Sequence, residues 1–441
     1  MERIVSIFKA YDIRGKYSLE INEEMCGKIA KAFSKLLKPK KVVLGLDMRP
    51  SSESIKKAMI NALISQGVDV IDIGLCSTPM FYFAVNHLSA DAGIMITASH
   101  NPKGYNGLKL VEKEAKPINY DNGINKIEKM INEEFYDFEN KGKVFEKNIL
   151  TDYIDYIKSY SFKINKLKVV ADYGNGMNSL ATKKLLQELG IDLINLYDEL
   201  DGNFPNHEAN PLKEENTADL QKTVLKEKAD LGVAFDGDGD RMILIDDLGE
   251  RIDGDITTAI IAKQVLKKGK EKIMYDLRST KAVKEIIEES GGIPLMSRVG
   301  HSFIKEQMRK ENAAFAGEIS GHYYFRDNFF TDSADIPLLM ILELLSNENK
   351  KLSDIKKEII RHYHSGEISK EVSGKEDVFK RLREKYCDLK LIELDGLTFS
   401  ADNYWFNVRA SNTEPLMRLN LEANNEELMS EKLREVLALI Y

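Results

Sequence analysis

The sequence predicts an α/β protein of several domains: three similar α/β domains with mixed sheets, then a smaller C-terminal α+β domain. Its 441 residues exceed what one hydrophobic core organises. A strand, polar turn, helix and strand recur three times along the chain. After Lys375 the order of elements changes.

The first recurrence is a strand at residues 41–47, a helix at 52–66 and a strand at 68–74. A further apolar strand at 93–96 runs into the polar turn at 97–101. The second recurrence is a strand at 167–172, a helix at 180–189 and a strand at 191–196; the third is 272–277, a helix through Ile287, and 293–296. Charged, apolar-poor stretches at 140–148 and 365–374 read as linkers. The domains are therefore set at 1–148, 149–250, 251–367 and 368–441. The last carries a helical segment, strands at 404–408 and 416–421, and an amphipathic helix at 426–439.

Composition narrows the partners. Apolar residues make up 43% and charged residues 30%, an ordinary globular balance. A net charge of −8 disfavours nucleic acid, so a phosphate-bearing ligand must meet a local basic pocket. Cys26, Cys76 and Cys387 lie far apart and in no C-x-x-C spacing, which argues against disulfides and thiolate metal sites. The first residues lack the apolar core of a signal peptide and no run reaches membrane-spanning length. A soluble cytoplasmic protein without membrane partners is expected.

Ser99 is the candidate reacting residue, because Thr97-Ala98-Ser99-His100-Asn101-Pro102 follows a buried strand at the end where open α/β sheets place ligands. The spacing of a G-x-S-x-G elbow is absent, so phosphate chemistry suits it better than acyl transfer. Asp236, Asp238 and Asp240 alternate with glycines between strands at 231–235 and 242–245. Three carboxylates so close repel, and a divalent cation preferring oxygen, Mg²⁺, relieves that. An EF-hand is excluded, since Arg241 stands where that loop needs Gly and a strand follows instead of a helix. Glu318, Ser320 and His322 can hydrogen-bond vicinal sugar hydroxyls. Arg409, Ser411, Asn412 and Thr413 combine a guanidinium, two hydroxyls and an amide suited to a phosphate.

Taken together, these stretches resemble the α-D-phosphohexomutase superfamily over nearly the whole chain, with four motifs in the family's order. The resemblance implies a heart-shaped, four-domain molecule whose domains each lend one loop to a central cleft. It implies that Ser99 carries a phosphoryl group, that Ser99 with Asp236, Asp238 and Asp240 binds Mg²⁺, and that Arg241 follows the metal loop. Tyr11 and Arg14, in Phe8-Lys9-Ala10-Tyr11-Asp12-Ile13-Arg14-Gly15, would face the cleft. Lys109 would lie near the reacting phosphate beside Ser99 and His100. Arg298 and His301 stand in a loop where many members carry Lys in place of Arg298; with Lys109 they are the candidates for general base. An aliphatic residue before Ser320-Gly321-His322 looks like the phosphomannomutase/phosphoglucomutase group, whereas phosphoglucosamine mutases typically carry Gln.

The implied reaction passes the phosphoryl group of Ser99 to a hexose monophosphate. A hexose 1,6-bisphosphate, also the activator, turns over in the cleft and returns its other phosphate. Sugar phosphates would be the partners, acting on a monomer or weak homodimer. A phosphoglucosamine mutase and a non-catalytic sugar-phosphate sensor stand as alternatives. Asp332, in a stretch where relatives often have Asp-Gly, reads as a helix N-cap.

Overall fold

The computed structural model describes residues 7–160, 163–348, 350–372, 374–410 and 416–440. They form four sheets, with Arg251–Ile252 in the second and Tyr363–His364 in the fourth, although the expected boundaries at 250 and 367 put both strands in the third unit. The first runs Ile13–Lys16, Tyr105–Glu112, Ala92–Ile96, Lys41–Leu46, Asp69–Leu75, Val144–Glu146. The last four of these strands are parallel, and the first two are antiparallel to their neighbours. The second sheet runs Arg251–Ile252, Met242–Ile245, Leu231–Phe235, Lys168–Asp172, Asp192–Leu196, and the third Ile293–Ser297, Lys272–Asp276, Phe315–Gly317, Tyr323–Phe325, Thr331–Asp332. Both mix three parallel strands with an antiparallel extension. The fourth sheet is antiparallel throughout, centred on Tyr404–Ala410 and Leu416–Ala423.

One shared feature of the first three sheets positions the chemistry. In each, a parallel strand turns into an antiparallel neighbour: Ala92–Ile96 into Tyr105–Glu112, Leu231–Phe235 into Met242–Ile245, Phe315–Gly317 into Tyr323–Phe325. The Ser99, Asp236 and Glu318 loops are those three turns. Burial explains why the strands end there: Ala92–Ile96 and Leu231–Phe235 are buried at every residue, so polar side chains collect beyond their carboxyl ends.

Local rules set the helices. Asn22 caps Glu23–Leu37 by accepting from Met25 N, and Ser77 caps Thr78–His87, whose first turn holds Pro79. Apolar residues of the first three units pack into one continuous body, which includes Phe81, Val85, Ala171, Leu185, Ile260 and Leu342. The fourth unit keeps a core of its own around Phe399, Phe406, Leu421 and Val436.

Three local expectations are corrected. Residues 140–148 contain the strand Val144–Glu146, exposed along its length, and residues 365–374 contain Ile368–Glu371, which pairs with Leu416–Ala423. An edge strand gains from backbone pairing alone, so no apolar pattern announces it. Asp332 is not an N-cap. Helix Asp335–Glu348 begins three residues later, where Ser333 Oγ accepts from Asp335 N and Ile336 N, and Asp332 instead faces Lys305. Among the described residues no helix is long and apolar enough to cross a membrane.

Candidate active site

The Ser99 turn is held under strain. Ser99 has φ 49°, a left-handed conformation that costs a side-chain-bearing residue on the order of 1 kcal/mol. Buried Arg49 compensates: its guanidinium donates to the carbonyls of Ser99, Asn101, Pro102 and Tyr105 at 2.6–3.1 Å, while Asp47 holds its Nε at 3.2 Å. Arg14 grips the same turn from the first strand, donating to Asn101 Oδ1 at 2.7 Å and pairing with Asp12 at 2.7 Å.

The second unit meets this turn directly. Ser99 Oγ donates to Asp236 Oδ2 at 2.8 Å, and Arg241 Nη2 lies 2.9 Å from that carboxylate and 3.4 Å from Ser99 Oγ. His100 Nδ1 is 3.3 Å from the hydroxyl. The approach depends on Gly237, where a Cβ would stand 2.6 Å from the Ser99 carbonyl. Lys109 enters from the first sheet, its ammonium 2.9 Å from Asp238 Oδ2 and in contact with Asp240 Oδ2.

Electrostatics follow from that packing. Burial pushes the Asp236 carboxyl up to about 7, with Arg241 opposing it. Burial acts the same way on Asp238 and Asp240, yet Lys109 outweighs it and holds Asp238 below and Asp240 well below the usual range. Lys109 is raised well above an ordinary lysine: burial alone would lower it, and the two aspartates reverse the sign. Burial keeps His100 and His301 well below the ordinary histidine value, so both are neutral at pH 7. His322, also buried, is raised by Asp240.

Ligand atoms of Asp236, Asp238 and Asp240 lie within 4.8 Å of one another, and Asp238 Oδ1 and Asp240 Oδ1 are buried without hydrogen-bond partners. Oxygen-only donors with uncommitted lone pairs suit a hard divalent cation. Asp240, His322 and Asp332 are grouped as closely, but that set puts an imidazole among the carboxylates and Lys305 stands 3.0 Å from Asp332, so it suits a hard cation less well.

The third unit supplies Glu318, whose carboxylate accepts from Tyr324 OH, and His322, 3.0 Å from Ser320 Oγ and 3.4 Å from Asp240. Residues Arg241 and His322 form an isolated β-bridge between the two loops. Tyr11 OH donates to Val299 O at 3.3 Å, and its ring packs on His301 and Phe303. Gly300, at φ 128°, has a Cβ position 2.7 Å from the Tyr11 ring, so this contact requires glycine. Arg298 stacks 3.7 Å over Phe303. Arg409 lies within the field felt at Tyr11, together with Glu318 and Arg298. Ser411, Asn412 and Thr413 lie outside the described residues.

Sequence reasoning missed several groups. Arg49 and Arg278 each follow by two residues an aspartate at or just past a strand's end, and fold back onto it. That shared Asp-x-Arg spacing was the available signal. Buried Lys305, with Asp332 at 3.0 Å and Tyr82 OH at 3.0 Å, gave none.

A caged serine hydroxyl, a carboxylate trio and a loop carrying Glu318, Ser320 and His322, set on the equivalent turns of three α/β units, define a multidomain α/β enzyme with these loops brought together where the units meet. The chain belongs to the phosphoglucomutase/phosphomannomutase family. The family's α/β/α domains I, II and III match residues 5–137, 151–249 and 253–363, and its C-terminal domain matches 369–439. A phosphomannomutase of Methanocaldococcus jannaschii is 41% identical over 98% of this chain and 97% of its own. One of Vibrio cholerae is 39% identical over 99% and 98%. The crystal structure of a phosphoglucomutase/phosphomannomutase family protein from Burkholderia thailandensis superposes with a TM-score of 0.91 at 30% identity, covering 99% of this chain and 98% of that one.

Proposed function

We propose that the chain interconverts hexose 6-phosphate and hexose 1-phosphate, of mannose, glucose or both, through a phosphoserine at Ser99 and a hexose 1,6-bisphosphate. The observation that carries this reading is the Ser99 hydroxyl held 2.8 Å from Asp236 and beside Arg241. A binding module has no use for a strained, caged hydroxyl.

In the forward half-reaction the free sugar hydroxyl attacks the phosphorus on Ser99. The P–Oγ bond breaks as the new P–O bond forms, and the hydroxyl proton passes to a base. Lys109 is held charged by two aspartates, so it serves as a fixed positive charge rather than as that base. Both ring nitrogens of His301 lack hydrogen-bond partners, which leaves it free to accept that proton, while the burial that keeps it neutral makes it a weaker base than an exposed imidazole. Arg241 and Lys109 neutralise charge at the transferring group, and Arg14 and Arg49 hold the turn in place. Asp236, Asp238 and Asp240 would hold Mg²⁺ together with the Ser99 phosphate; that ion would supply further neutralisation at the same oxygens. Glu318, Ser320 and His322 bind sugar hydroxyls, with Tyr11 and Arg298 flanking them. Arg409 and its loop, Ser411, Asn412 and Thr413, take the phosphate that is not reacting.

The bisphosphate then turns end for end and returns its other phosphate to Ser99. The enzyme works in a reducing cytoplasm as a monomer or weak homodimer, consistent with three free cysteines. The test is a rate panel on mannose, glucose and glucosamine phosphates with Mg²⁺ and bisphosphate, alongside intact mass. Turnover of mannose or glucose phosphate with one phosphate on Ser99 is expected; no turnover and no phosphorylation would refute the reading.

A further inference from the structure

The arginine assigned to the non-reacting phosphate is already engaged by the protein itself. Arg409 and Arg418 stand directly opposite each other across the antiparallel pair Tyr404–Ala410 and Leu416–Ala423. Like charges in that relation repel. A loop between two edge strands of the same sheet supplies the remedy: Glu367 places Oε2 2.7 Å from Arg409 Nη2 and Oε1 3.2 Å from Arg418 Nη1. Burial would raise the Glu367 carboxyl, but Arg409, Arg278 and Arg418 together hold it below the ordinary glutamate value.

A third guanidinium waits nearby. Arg278, on the third unit, gives Nε and Nη2 to Asp276 and turns Nη1 toward Glu367, 3.9 Å from Oε2. That is beyond hydrogen-bond reach, and a shift of about 1 Å would close it.

We propose that Glu367 is a positioning residue that competes with substrate for the phosphate grip, holding Arg409 while the cleft is empty and passing to Arg278 when a sugar phosphate takes Arg409. Arg418 keeps the carboxylate tethered throughout. The exchange trades one charge-assisted hydrogen bond for another, with no group left bare. Glu367 lies on the fourth unit, between its strands Tyr363–His364 and Ile368–Glu371, and Arg278 on the third, so the handover also draws the fourth unit inward as phosphate binds. The inference rests on the mutase reading for the identity of the ligand. It also serves that reaction: a bisphosphate that must turn round has to be released by the grip, and a resident carboxylate limits how deeply the ground state is bound.

The experiment measures binding of inorganic phosphate by titration calorimetry to the full-length enzyme and to Glu367→Gln, beside their kinetics on hexose 1-phosphate. Removing the competing charge should tighten phosphate about three- to tenfold and lower KM and kcat together. A general loss of structure would raise KM instead. Unchanged or weaker phosphate binding by a Glu367→Gln variant with the parent's melting temperature would overturn the proposal. Should that variant unfold, Arg278→Lys keeps a cation for Asp276 but cannot also reach Glu367, and it must weaken phosphate binding or the proposal falls. Calorimetry needs no turnover, so tighter phosphate with no mutase activity would count against the mutase reading alone.

Discussion

Pulling the first unit from the second would tear an apolar body; pulling the fourth from the third would break mostly polar ties. The first three units share a continuous core, with Phe81 and Val85 of the first, Ala171 and Leu185 of the second and Leu342 of the third among its members. The fourth has a separate core. It is fastened by Lys281 N donating to Glu422 at 2.9 Å, by Lys281 Nζ on the Asp402 carbonyl at 3.2 Å, and by the Glu367 cluster. Apolar interfaces are costly to open, whereas polar ones re-form readily in water. The attachment fits the proposed reaction: phosphoryl transfer at Ser99 would need that residue fixed against its carboxylates, and ligand exchange would need one wall that can leave.

Substitutions on either side sharpen this contrast. Ser99→Ala should remove turnover by about 10⁴-fold or more and abolish the phosphorylated mass. Arg409→Ala should cost about 10- to 100-fold, mainly in KM. An equal loss of kcat in both variants would erase the division between fixed centre and movable wall. Lys109→Met strands Asp238 and Asp240, and leaving buried charge unpaired costs about 3–5 kcal/mol. Its melting point should fall by several degrees and recover more with Mg²⁺ than that of the parent.

The smallest effect lies between the second and third units. Asp335 accepts from Tyr153 OH and Thr182 Oγ1, and burial raises its carboxyl despite those donors. Because the folded value is the higher one, its contribution to stability is complete below the ordinary Asp value near 4 and is lost as pH rises through the folded value. Melting curves of Asp335→Asn against pH should therefore improve relative to the parent as pH increases from about 4. A constant gap would show that the buried carboxyl does not titrate with unfolding.

Much of this was legible in the residues. Strands 231–235 and 242–245 were read at their observed limits, because unbroken apolar runs between glycine-rich turns leave little choice. Ser99 and the three aspartates were visible as polar residues at the ends of buried strands. The edge strands Val144–Glu146 and Ile368–Glu371 were not, since backbone pairing leaves no trace in side chains. Nor was Glu367: its meaning comes from three arginines that are 42, 51 and 89 positions distant along the chain. Pairing across such separations is a product of folding and cannot be read from local pattern.

The repeated turn from parallel to antiparallel strand has an engineering consequence. The three loops meet through the Ser99–Asp236 hydrogen bond and the Arg241–His322 bridge, so a residue inserted in any of them would disturb the spacing of all. The opposite rims of the first two sheets, at Val144–Glu146 and Asp192–Leu196, sit at the far margin of those sheets. Fluorescent labels or surface tethers belong on those rims, where they would report on the molecule without touching its catalysis.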